Sequence, residues 1–279
     1  MAPTLTLIGF GEAGSAFARA AGWEGAVRTW DVLPERRSAA SAAEALAGSP
    51  LVLSLVTADQ ALAAAQEYAR FLAPGALWCD MNSVAPQTKR RSAQAIEAAG
   101  GSYVDVAVLA PVEPGRLAVP LLIAGAAADK AKAALRDAGF TNLRVVGAQV
   151  GKASAIKLVR SIMVKGIEAL TAEMMMAAHV AGVTDEVLTS LDASDQSLGW
   201  DQRADYNLDR MLVHGERRSA EMYEASEMLR DLGISPIMTE GTVQWQEGLG
   251  LLGIADPPEG HCAKLAAITA TPEFKNGIQ

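Results

Sequence analysis

Cysteine appears only twice in this chain, as Cys79 and Cys262, too few for a disulfide framework and too far apart for a zinc motif. A reducing, cytoplasmic setting fits that usage. The three histidines, His179, His214 and His261, are scattered without an H-x-x-x-H or H-E-x-x-H pair, so no metal site is expected. Basic residues are also short: 24 Lys and Arg against 32 Asp and Glu leave a net charge of −8. That balance repels phosphate backbones and anionic membranes, which excludes nucleic acid and a membrane surface as expected partners. The longest stretch free of charged side chains is 14 residues, 45–58, and it contains Gly48 and Pro50. A bilayer span takes about 20 apolar residues, so no membrane segment is read. The N-terminus has no basic stretch leading into a long apolar core, so no signal peptide is expected.

What is present is a globular composition, half hydrophobic and one-fifth charged, in 279 residues, enough for two domains. In the first half, short apolar runs at 4–8, 26–31, 51–56, 76–80, 103–108, 119–125 and 143–147 alternate with helix-length segments such as 58–72, 86–99 and 127–138. Strand and helix in alternation imply a mainly parallel sheet covered on both faces. With right-handed crossovers the expected class is α/β, a doubly wound Rossmann-type parallel sheet, over residues 1–150. From 151 to 279 the pattern is helical, with segments at 151–182, 184–193, 200–214, 216–232 and 236–249, and reads as an all-α C-terminal domain. The first of these is apolar nearly all round, which predicts a central helix packed by others, a second subunit included.

The stretch LIGFGEAG sets Gly9, Gly11 and Gly14 in G-x-G-x-x-G spacing. The spacing alone is weak, but here it follows an apolar strand, opens a helix at 11–22 and lies in a strand–helix–strand unit ending at Asp31. Gly9 permits the tight turn, Gly11 lets a pyrophosphate approach the backbone, and Gly14 lets helix pack on strand. The free N–H groups of the helix start then hold the anion, and Phe10, Glu12, Ala13, Val56 and Thr57 are expected among the cofactor-binding residues. Asp31, 22 residues after Gly9, can accept from both ribose hydroxyls and would repel a 2′-phosphate. NAD is therefore the expected cofactor, with NADP open because Arg36 and Arg37 could hold that phosphate if Asp31 turned away.

In the long helix that follows, Ser154, Lys157, Arg160, Ser161 and Lys165 share one face, a polar stripe on an otherwise apolar element. Such a stripe can be solvated, with stems snorkelling to water. It can also line a cleft, because this helix begins where a nucleotide-binding sheet ends. Met174, Met175 and Met176 on the same helix read as core packing. Trp200, Tyr206 and Trp245 fit either a pocket wall or ordinary packing.

Taken in order, GFGEAGSAFARAAG (9–22), CDMNSVAP (79–86), DVAVLAPVEPG (105–115) and GKASAIKLVRS (151–161) resemble motifs of the β-hydroxyacid dehydrogenase family, which includes 3-hydroxyisobutyrate, tartronate semialdehyde and 6-phosphogluconate dehydrogenases. The resemblance spans essentially the whole chain. It implies that Lys157 is the catalytic lysine and that Ser161 stands where the family usually has a substrate-orienting asparagine. It places Asn82 beside the nicotinamide and Ser83 beside the substrate. Leu109, Ala110 and Pro111 occupy the position of the family's Ser-Gly-Gly substrate loop, a departure that points to an unusual substrate. Arg218 falls near another active-site lysine, where it could grip a carboxylate in bidentate fashion, although a charged surface helix with Met222, Met228 and Leu229 turned inward fits equally. The family commonly pairs subunits through the helical domain, so a homodimer or higher homo-oligomer is expected.

Together these readings predict an NAD(P)-dependent oxidoreductase that moves a hydride between a nicotinamide and a hydroxy acid or its keto or aldehyde form. Lys157 would exchange the proton, its amine brought toward neutral-pH titration by desolvation and by Arg160. Decarboxylation after oxidation stays open. So do two alternatives: an imine reductase on the same scaffold, against which Lys157 argues, and a dinucleotide-binding protein without turnover.

Overall fold

The computed structural model describes residues 5–23, 27–193, 199–231 and 236–275. All seven apolar runs form strands: β1 (Leu5–Ile8), β2 (Val27–Trp30), β3 (Leu51–Ser54), β4 (Leu77–Asp80), β5 (Ser102–Val108), β6 (Leu121–Ala124) and β7 (Leu143–Gly147). They join in one sheet of order β2-β1-β3-β4-β5-β6-β7. All pairings are parallel except β5 with β6. That exception follows from the connection: residues 109–120 contain only a short 3₁₀ turn and no crossover helix, so the chain returns antiparallel.

Helices cover both faces. On one side α1 (Glu12–Ala21) and α5 (Ala128–Asp137) pack Phe17, Ala131 and Leu135 onto Leu7, Val104 and Ile123, and Phe17 meets Phe140 edge-on at 5.0 Å between ring centroids. On the other side α2 (Ala42–Leu46), α3 (Ala61–Tyr68) and α4 (Pro86–Ala98) bring Leu46, Tyr68 and Ile96 onto Val52 and Trp78. The central strands, buried on both faces, are mostly apolar, which is why they read as near-continuous runs.

The rest is helical: α6 (Lys152–Ala181), α7 (Thr184–Asp192), α8 (Trp200–Asp231), α9 (Ile237–Gly250), α10 (His261–Ala270) and the single turn α11 (Pro272–Lys275). Met175, Leu208, Met211, Leu249, Leu265 and Ile268 form their core. Segments 200–214 and 216–232, expected as two helices, are one. Gly215 does not break it; it is where α9 crosses, because a Cβ there would lie 2.1 Å from the Gln246 carbonyl oxygen. Gly250 answers from the other helix, 2.5 Å in the same sense from Glu216 N.

The chain divides into two compact units, Met1–Leu158 and Val159–Gln279. The division falls inside α6, so the first turns of α6 belong with the sheet. Within the helical unit the stripe on α6 is mixed, with Arg160 exposed. Ser161, Lys165 and Glu168 are buried, whereas Val159, Met163, Val164 and Ile167 are exposed. Met175 is core, as expected, and the side chains of Met174, Met176, Trp200 and Leu229 lie outside the described residues. Among the described residues no helix is long and apolar enough to cross a membrane.

Candidate active site

Each glycine of the first turn answers a different steric demand. Gly9 has φ +89°, and a Cβ on it would lie 2.5 Å from the Leu55 carbonyl oxygen of the neighbouring strand. A Cβ on Gly14 would lie 2.7 Å from the Gly9 carbonyl oxygen, so α1 can approach β1 only without one. Gly11, the N-cap of α1, has open space over it: the nearest atom to an added Cβ is Arg36 Nη1 at 3.8 Å. Beside it opens a cavity of about 470 Å³ lined by Phe10, Glu12, Ser15, Arg36 and Arg37. Room above a bare helix N-terminus is what a pyrophosphate requires. The residues present therefore fit a dinucleotide.

The acidic end of β2 is fixed in place. Asp31 accepts from Phe10 N (2.6 Å) through one oxygen and from Leu33 N (2.9 Å) through the other. Arg37 lies over the Trp30 ring at 4.3 Å and donates to the backbone carbonyls of Asp31 (2.6 Å) and Val32 (2.8 Å). Val56 packs half-buried on the second core, and Thr57 is exposed, its side-chain hydrogen bond, with a lesser one from Gln60, holding the Asp59 carboxyl below its usual range.

The register places Ile8, Ser54 and Asp80 side by side at the carboxyl ends of β1, β3 and β4. The glycine turn and the Asn82-Ser83 segment thus leave the sheet at the same edge, where open α/β sheets bind ligands. Asn82 is buried there: its amide nitrogen donates to Ser54 Oγ (3.0 Å) and Asp80 Oδ1 (2.8 Å). Its Oδ1 is buried with no hydrogen-bond partner among the described residues, an acceptor available to a ligand. Lys157, half-buried near the start of α6, donates from Nζ to Ser83 Oγ.

Beneath this contact lies a polar network fully out of water. Lys89 of α4 is 0% exposed and donates to Asp80 O (2.7 Å) and Asp80 Oδ1 (2.9 Å), with Asp105 Oδ1 at 3.5 Å. Tyr103 gives its hydroxyl to Asp80 Oδ2 (2.6 Å), and burial followed by the Asp80 charge pushes that phenol well above its ordinary value, keeping it a donor. Asp105 Oδ2 accepts from the backbone N–H groups of Gly151 (3.0 Å), Ala153 (3.1 Å) and Ser154 (3.1 Å). Two carboxylates thus face one ammonium and the positive end of a helix, a balance that makes their burial tolerable.

Residues 4–147 match the family model described as the NAD binding domain of 6-phosphogluconate dehydrogenase, just over half of the chain. The chain belongs to that family. Its cofactor is NAD(P). Residues 178–249, in the helical unit, match a second model, described as a domain of unknown function. A conserved hypothetical protein of Sinorhizobium meliloti is 33% identical, covers 96% of both chains and superposes with a TM-score of 0.74. The conserved protein MTH1747, described as structurally similar to 3-hydroxyacid dehydrogenases, is 28% identical over 88% of this chain and 96% of its own, with a TM-score of 0.68. The 3-hydroxyisobutyrate dehydrogenase of Mycobacterium tuberculosis shares the fold at 16% identity, covering 97% of this chain and 100% of its own, with a TM-score of 0.73.

In this member of the family the other expected site residues are placed unevenly. Leu109 is half-buried against Ala107, Leu122 and Ala153, while Ala110 and Pro111 are exposed; none of their side chains carries a polar group. Ser161 is buried on α6. Arg218, expected to grip a substrate carboxylate, is 4% exposed and ion-paired with Glu168, whose carboxylate also accepts from Gln246 Nε2 at 3.0 Å. Burial holds that guanidinium below its ordinary value against the pull of Glu168. Sequence spacing gave no sign of Glu168, on α6, as that partner. Met222 and Met228 do turn inward. Tyr206 is exposed and Trp245 packs half-buried on the helical core.

Sequence reasoning missed Asp80, Lys89, Tyr103 and Asp105. A signal existed for two of them, since Asp80 and Asp105 interrupt strands apolar on both faces, where an unpaired charge is untenable. Lys89 gave none, being one cation on a helix with several.

Proposed function

We propose that this protein is an NAD-dependent dehydrogenase or reductase that interconverts a hydroxy acid and its carbonyl form, with Lys157 as the general acid–base. The observation carrying this reading is the Lys157–Ser83 contact, at the sheet edge where the glycine turn also opens. Oxidation requires a hydride to leave carbon and a proton to leave oxygen. The nicotinamide, when bound, accepts the hydride. Lys157, as the neutral amine, takes the hydroxyl proton and, as ammonium, returns it in reduction. Ser83, accepting from Nζ, fixes the direction of that amine, and Asn82 Oδ1 offers an acceptor beside it.

Preference for NAD over NADP is supported by the state of Asp31. Two backbone N–H groups hold the carboxylate in place, so it does not swing aside for a 2′-phosphate, and each oxygen keeps acceptor capacity for a ribose hydroxyl. Arg37 is committed to Trp30 and two carbonyls. The apolar Leu109-Ala110-Pro111 segment supports a substrate with more apolar body than the family's small hydroxy acids. Exposed Val159, Met163, Val164 and Ile167 on α6 support a second copy of the chain as partner, which light scattering would show as a doubled mass.

The test is a panel of hydroxy acids offered with NAD and with NADP, followed by reduced-nicotinamide absorbance. Lys157→Ala is expected to lower turnover about 10²–10⁴-fold while NAD affinity is retained. Turnover by Lys157→Ala at the wild-type rate would refute the assignment. Better activity with NADP would refute the reading of Asp31.

A further inference from the structure

Both ends of the Lys157–Ser83 contact are hung on one buried cation. Ser83 follows Asn82, whose backbone N–H (3.0 Å) and side-chain amide (2.8 Å) both donate to Asp80 Oδ1. Lys157 stands on α6, whose first turn is held by three backbone N–H groups donating to Asp105 Oδ2. Asp80 and Asp105 come from adjacent strands, directly opposite each other in the β4–β5 register. Side by side in an interior without water, two carboxylates repel. Lys89 is the group between them, at 2.9 Å from Asp80 Oδ1 and 3.5 Å from Asp105 Oδ1, with all three side chains 0% exposed.

We propose that Lys89 is a positioning residue for catalysis: by tying Asp80 to Asp105 it sets the distance between the Ser83 loop and the amine of Lys157. Lys89 touches neither substrate nor cofactor. Its effect runs through two carboxylates that each hold one half of the acid–base pair. A simple structural salt bridge would need only one carboxylate and would leave α6 to cap itself. Here the cation also offsets the charge of the aspartate that caps α6, so losing it disturbs both halves at once. An error of about 1 Å between reacting groups costs on the order of a hundredfold in rate. The catalytic part of this inference rests on Lys157 as the acid–base; the geometric part does not.

The experiment compares wild type, Lys89→Met and Lys89→Met/Asp80→Asn as full chains. Met keeps the volume without the charge, and the Asp80→Asn change removes one of the two opposed charges while keeping one acceptor oxygen, enough for Asn82 or for Tyr103 but not for both. Amide hydrogen exchange over 150–158 is expected to rise at least tenfold in both variants, because the carboxylate that holds the first turn of α6 through Oδ2 loses the cation that fixes it at Oδ1. Exchange over α1 and α5, on the opposite face of the sheet, is expected to stay at the wild-type level, as is NAD affinity by calorimetry. Thermal stability is expected to fall in the single variant and to recover in the double variant. On the substrate found in the hydroxy-acid panel, kcat is expected to fall about a hundredfold in both variants, with KM for NAD unchanged.

Wild-type exchange over 150–158 in the double variant would overturn the proposal, and so would recovery of kcat along with stability. If Lys89→Met does not fold, the double variant, which lacks the opposed charges, decides. If no hydroxy acid is turned over by wild type, the reading of Lys157 fails while the exchange result still decides whether Lys89 orders α6.

Discussion

Gly11→Ala separates cofactor binding from folding better than any other single change in the phosphate turn. Gly11 already has φ −79°, a value an alanine adopts, and the nearest atom to the new Cβ is the mobile end of Arg36 at 3.8 Å. As the N-cap of α1 it would lose roughly 0.5–1 kcal/mol on becoming alanine. Reduced freedom in the unfolded chain returns about 0.4–1 kcal/mol. The two nearly cancel, so the unfolding midpoint should move by no more than about 2 °C. Binding is another matter. A methyl group standing where the pyrophosphate meets the helix start displaces it from at least one backbone N–H. A hydrogen bond to a charged group contributes about 1.5–3 kcal/mol, so NAD should bind roughly 10- to 150-fold more weakly. Gly14→Ala is the contrast: its Cβ would lie 2.7 Å from the Gly9 carbonyl oxygen, so backbone must move and about 1–3 kcal/mol of stability goes with the affinity. Calorimetric titration with NAD, paired with thermal melts, reads both quantities. Undiminished affinity in Gly11→Ala would refute the placement of the pyrophosphate over this turn.

Asp105→Ala removes the cap of α6 and one partner of a fully buried cation, so a loss of about 3–5 kcal/mol is expected. At ~2–4 °C per kcal/mol the melting midpoint should fall by ~6–20 °C, and a fall of less than ~2 °C would show that the buried charges are not coupled as described. Burial, with a smaller contribution from Asp80, pushes the Cys79 thiol up to about 12, whereas Cys262 is exposed. A thiol-exchange reagent at neutral pH should therefore label Cys262 alone in the folded chain, and modification of both would contradict the buried environment of β4. Burial holds the Lys165 ammonium below its ordinary value of 10.5, outweighing the opposite pull of Glu221. In the window below 10.5 the unfolded chain then binds more protons at this site than the folded one, so its contribution to stability rises with pH. Melts of wild type and Lys165→Met over that window should show the difference moving in favour of wild type as pH increases, and a difference moving the other way would mean that Glu221 dominates.

What the amino-acid sequence disclosed and what it withheld divide along a physical line. The strands were legible because a strand covered on both faces is mostly apolar, so Leu51–Ser54 and Leu121–Ala124 announce themselves locally. The glycine turn was legible because its three constraints act within six residues. Gly215 misled for the opposite reason: inside a helical pattern glycine reads as a break, and only the approach of α9 shows that it is a crossing point. The same holds for the proposed acid–base pair. Lys157 and Ser83 were indicated by motifs of a resembling family, 74 residues apart in the chain, and no local rule joins them. The groups that hold them together, Asp80, Lys89 and Asp105, come from a strand end, a helix and the next strand, and each looks ordinary where it stands. Their meaning is a sum of charges: two carboxylates, one ammonium and one helix N-terminus, balanced only once the sheet has formed. The members of such a network are costly to bury until all are present, so no one of them signals the network from its own place in the chain.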